Sequence, residues 1–80
     1  MKHKLSLDEA AIYQIRVQGR LGKQWGEYLG DLDISVTGES DQVETILSGQ
    51  VIDQAALIGI LNSLYDLGYP LLSVDYQLSP

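Results

Sequence analysis

The chain holds one histidine and no cysteine, so its stock of chemistry-bearing side chains is narrow. His3 lies in an opening stretch without periodicity, and a lone histidine lacking a carboxylate to orient it makes neither a triad nor a metal site. Asp31 and Asp33 sit two apart, a spacing that aims both carboxylates to one side of an extended chain. With Asp75 or Glu44 beside them they would hold a hard cation only weakly. One-sided carboxylates also describe a solvated sheet face, and no EF-hand spacing is present. Gly19 and Gly22, in GRLG, fall where a phosphate loop would sit, between a strand and a helix start. Their spacing fits neither the Walker pattern nor the dinucleotide fingerprint, and no Lys-Ser/Thr pair follows. The serines and threonines have no general base that spacing can name. No catalytic residue, metal or cofactor is expected.

Charge narrows the partners. Net charge is −6, and all five Lys and Arg residues (Lys2, Lys4, Arg16, Arg20, Lys23) fall in positions 1–23. Nucleic-acid binding draws most of its affinity from phosphate neutralisation, and this chain offers at most a small patch near Arg16, Arg20 and Lys23. No nucleic acid is expected. The asymmetry does permit head-to-tail attraction between copies, which salt would screen. The opening MKHKLSLDEAAIY has basic residues but no apolar core of about 7–15 residues, so no signal peptide is expected. The most apolar run, around residues 55–61, is too short to span a membrane and is broken by Gly59. The absence of cysteine fits a reducing compartment, and a cytoplasmic location is expected.

The elements that must position these residues are legible from periodicity. Eighty residues make one domain, of a size that buries only about 60–65% of the surface its unfolded chain exposes. Oligomerisation is a common remedy. Residues 1–9 read as a flexible N-terminus and 10–78 as a single α+β domain. IYQIRVQ alternates as a half-buried strand with Tyr13, Ile15 and Val17 on one side. RLGKQWGEYLGDL has helical spacing but three glycines, each costing about 1 kcal/mol in a helix interior, so one or two turns pinned by Trp25 are expected. DLDISVTG and VETILSGQV alternate around the turn GESDQ and form a hairpin. Gly49 suggests a bulge or a close backbone approach.

The segment from Val51 to Leu72 is a complete helix with its signals. Asp53 is the N-cap, Ile52 and Leu57 are placed for a hydrophobic staple, and Gly68-Tyr69-Pro70 makes a Schellman ending. Last, LLSVDYQL alternates, with Leu72, Val74, Tyr76 and Leu78 opposed to Leu71, Ser73, Asp75 and Gln77. The expected fold is a ferredoxin-like split β-α-β sandwich (βαββαβ). It has a four-stranded antiparallel sheet with one long and one short helix on one face.

Apolar residues off the core then become interface candidates. Ile58 and Tyr65 lie together on the flank of the helix stripe. Ile46 has the wrong parity for its strand and, with Leu71 and Ile12, would lie on the sheet's far face. There Arg16 would find a partner in Glu44 or Asp75. Five tyrosines, one tryptophan and no phenylalanine mean every ring has a polar tip, a composition enriched at partner surfaces.

IRVQGRL, the W-x-x-Y-L-G-x-L run from Trp25 to Leu32, and SGQVIDQAALIGILNSLYDLGYPLLSV together resemble a family of short uncharacterised bacterial proteins. That family has a G-x-V-x-D-Q-A-A-L helix start and a D-L-G-x-P-L-L-S-V ending. The resemblance implies a small free-standing domain and no established activity. The leading reading is a non-enzymatic interaction module acting as a homo-oligomer, a dimer first, or through a protein partner. Two others stand beside it. One is a small-molecule (amino-acid-like) sensor with its ligand near Gly19, Gly22 and Trp25. The other is a minimal dimeric α+β barrel enzyme with a pocket lined by Tyr13, Trp25 or Tyr76.

Overall fold

Alternation sets the first strand and, through it, the sheet. In β1 (Ala11–Gln18) Ala11, Tyr13, Ile15 and Val17 are buried while Ile12, Gln14 and Gln18 are exposed. Period-two patterning fixes the register, since a slip of one residue would turn that apolar row to solvent. The computed structural model describes residues 5–78; His3, Lys2 and Lys4 lie outside them. After β1 come a single turn of helix α1 (Trp25–Tyr28), β2 (Asp33–Thr37), a 3-10 turn (Ser40–Gln42), β3 (Glu44–Val51), α2 (Gln54–Asp66) and β4 (Leu71–Gln77). This is a small α+β architecture with a four-stranded sheet in the order β2-β3-β1-β4, antiparallel at every pairing. β1 therefore lies between β3 and β4.

The core forms on one side of the sheet. The inward row of β1 meets Leu47 and Val51 of β3, is capped by Leu57, Ile60 and Leu64 of α2, and is closed by Leu21, Leu29 and Leu32 from the segment around α1. A fully buried residue of this size contributes about 1.5–3 kcal/mol. Leu32 packs onto Gly49, where an added Cβ would stand 3.0 Å from its Cδ2. The β1–β3 ladder runs through Gly49 without a break, so this glycine serves a close approach and not a bulge.

The long helix has the expected ends. The Asp53 carboxylate accepts from the Ala56 N–H at 2.8 Å. At the other end Gly68 takes φ +88, the Tyr69 N–H donates to the Leu64 carbonyl and the Gly68 N–H donates to that of Tyr65, the two bonds of a Schellman ending. The staple is not made: Ile52 stays 69% exposed, because Val51 takes the buried place and strand alternation turns its neighbour outward. The segment before β1 is tied to this helix, with the Leu7 carbonyl accepting from the Gln54 N–H and Leu5 packed against the core.

One buried polar group joins the loop after β1 to the centre of the sheet. Thr45 is fully buried on β3. Its hydroxyl donates to the Gly19 carbonyl at 2.6 Å and accepts from the Leu21 N–H at 2.9 Å. The Gly19 N–H donates to Val43, and the Tyr69 hydroxyl donates to the Arg20 carbonyl at 2.8 Å. Replacing Thr45 with Val keeps the volume and strands two backbone groups. Urea unfolding should show a loss of about 1–3 kcal/mol, the cost of leaving buried groups unpaired.

Candidate interaction surface

The two faces of the sheet are chemically different. On the face away from the helices, cross-strand neighbours line up as Ser35, Ile46, Arg16 and Ser73 in one row and Asp33, Ser48, Gln14 and Asp75 in the next. Arg16 is held within the chain: its Nη2 donates to Glu44 at 2.6 Å, Nε to the same oxygen at 3.2 Å and Nη1 to Ser73 at 3.4 Å. Ile46 is half-buried beside it. Ile12 shares this face but stands opposite Gln50, four positions along β1 from Arg16 and Ile46. The register of β4 shifts between Arg16 and Val17, so Leu71 stands opposite Val17, whose side chain faces the core. The structure thus brings Arg16 and Ile46 together and leaves Ile12 and Leu71 apart from them.

The helix side holds the larger apolar surface. α2 lies against β3, and its Ala56, Gly59 and Ser63 flank faces Tyr28, Leu29 and Gly30 in a shared cleft. Residues three and four apart share a helix flank, so Ile58, Leu61 and Tyr65 form the other flank, turned toward β4. Ile58 is 54% and Tyr65 80% exposed. Below them, Val74 and Tyr76 stand opposite Ile15 and Tyr13 and so face the same side. Their β1 partners are buried, yet Leu71, Leu72, Val74 and Tyr76 are 51, 43, 37 and 52% exposed. The helical cover stops over β1.

Alternation puts Leu72, Val74 and Tyr76 in the inward row, and Val74 and Tyr76 do face inward; what alternation lacks is the exposure that makes them part of this surface beside Ile58 and Tyr65. The signal that would have found them is the strand order: the last strand is an edge, with β1 its sole neighbour in the sheet.

The proposed ligand region is structurally separate. Gly19, at φ +103, is fixed by its bonds to Val43 and Thr45, with the Tyr69 ring against it. An open groove of about 360 Å³ runs beside it, lined by Gln18, Gly19, Arg20, Ser40, Asp41 and Val43. Gly22 and Trp25 are not part of that lining; Trp25 stands edge-on to Tyr28, with ring centroids 5.3 Å apart. The structure joins Tyr13 to Tyr76 at 6.1 Å in a cleft of about 300 Å³, and the Tyr13 hydroxyl already accepts from the Gln54 amide at 2.8 Å. Asp31 takes φ +61, so the extended spacing that would aim it with Asp33 does not hold. Among the described residues no group of three His, Cys, Asp or Glu is placed to hold a metal ion. Among them no helix is long and apolar enough to cross a membrane.

A small α+β domain with an apolar, half-covered edge is the class these features define. The chain belongs to a family described as a domain of unknown function, DUF8691, whose model matches residues 12–75. No curated protein and no solved structure matches it.

The Arg16–Glu44 pair is partly exposed on both sides, where ion pairs contribute about 0–1 kcal/mol. Glu44→Gln should therefore lower unfolding free energy by less than about 1 kcal/mol in urea titration, far less than the Thr45 change.

Proposed function

We propose that this chain is a small non-enzymatic interaction module of ferredoxin-like build, working through self-association or a protein partner. The order β2-β3-β1-β4 and the element sequence support the fold name. The observation that carries the function is the exposed apolar floor of β4 beside the Ile58–Tyr65 flank of α2. Several exposed apolar residues on a strand at an open sheet edge are characteristic of protein contact sites. A dimer is the first expectation because so small a domain gains core by pairing.

Sedimentation equilibrium at low and high salt tests the reading. A dimer should form and persist or tighten as salt rises, since two copies of charge −6 repel and salt screens that repulsion. Head-to-tail attraction between basic and acidic ends would weaken instead. Ile58→Lys should weaken the dimer about tenfold or more, about 1.4 kcal/mol. Ile46→Lys, on the polar face, should change it by less than about twofold. A monomer at high micromolar concentration removes self-association.

The groove beside Gly19 and Arg20 favours a second reading, a sensor for an amino-acid-like molecule. It predicts a melting temperature that climbs as free amino acid exceeds its dissociation constant; a flat response across the amino acids rejects it.

A further inference from the structure

Building on the self-association reading, we infer that the occupant of this surface is a second copy of the chain, joined β4 to β4 in antiparallel register about a two-fold axis at Val74.

β4 is an outer strand, so one row of its N–H and C=O groups faces outward. Sheet edges are usually blunted by lysine, by proline, by bulges or by a covering element. LLSVDYQ contains neither lysine nor proline, and its register shift lies at its start, leaving Ser73–Gln77 regular against β1. The opposite edge, β2, is five residues long and opens on Asp33. Of the two edges, β4 is the longer, the more apolar and the less covered.

The strand's own sequence selects the partner and the register. Cross-strand neighbours in an antiparallel pair share a face. A symmetric pairing must therefore set Leu72, Val74 and Tyr76 against one another, and any odd offset would set them against Ser73, Asp75 and Gln77. Centring on Asp75 puts two carboxylates directly opposite, which is destabilising. Centring on Ser73 leaves Tyr76 and Gln77 unpaired. Centring on Val74 pairs Leu72 through Tyr76: Val74 meets Val74, Leu72 meets Tyr76, and Ser73 offers its hydroxyl to Asp75. β4 is thus its own complement in shape, polarity and charge. Pairing also brings the Ile58–Tyr65 flanks of the two α2 helices toward each other across the joined strands, over a floor of six side chains, three from each copy. An isologous contact of this kind closes on itself as a dimer.

The chain has no cysteine, so one introduced thiol reports alone. Val74→Cys sets two thiols directly opposite across the axis, with Cβ atoms about 4.5–5.5 Å apart, so that a shift of about 1 Å brings them to disulfide geometry. Gln77→Cys sits opposite Leu71, leaving its two thiols six positions apart along the strands, about 20 Å. Under mild oxidation at a concentration where the mass is dimeric, Val74→Cys should reach the covalent dimer at least about tenfold faster than Gln77→Cys. A dimer by mass in which Gln77→Cys cross-links as fast, or Val74→Cys does not, overturns the β4 register and leaves self-association standing. A monomer by mass overturns both.

Discussion

One thirteen-residue helix and a single helical turn have to cover a four-stranded sheet, and most of the molecule follows from that shortage. An α-helix is about 10 Å across, and strands lie about 4.8 Å apart, so a helix shelters about two strands. α2 rests on β3, and the leucines around α1 close the core from their own side. The inward residues of β1 are consequently sealed, while those of β4, one strand further out, are not. The uncovered strip is a consequence of element count, and it is the feature on which the functional reading stands.

The covered half is organised by a few polar ties placed where the chain changes direction. Thr45 is a hydroxyl in an otherwise apolar row, and it accepts and donates to the two backbone groups on either side of Arg20. Tyr69, at the end of α2, reaches the carbonyl of Arg20 itself. The exit from β1, the start of β3 and the approach to β4 are thereby tied to one another by groups far apart in sequence. These bonds fix the backbone of the loop that borders the Gly19 groove. The Arg16 network on the polar face acts similarly, holding a partly exposed cation in bonds within the chain.

Much of this was legible in residue order. Asp53 and the Gly68-Tyr69-Pro70 ending specify the ends of α2 because caps are local chemistry, decided within four or five residues. The alternation of Tyr13, Ile15 and Val17 was readable for the same reason, whereas Gly49 left a bulge and a close approach both open until Leu32 is placed against it. Periodicity says which way a side chain points, however, and not whether another element reaches far enough to cover it. That is why Leu72, Val74 and Tyr76 read as core and emerge as surface. Thr45 fits an inward row without announcing that its partners lie 24 and 26 residues away. The left-handed turn at Asp31 is also silent in the alternation that follows it.

Amide hydrogen exchange as a function of protein concentration tests the central claim, that β4 is an open edge which pairs in solution. The outward amides within Ser73–Gln77 should slow as concentration rises through the dimerisation range, while those of β2 keep a constant rate. Exchange along β4 that is independent of concentration while the mass doubles would contradict it, because association would then be using another surface.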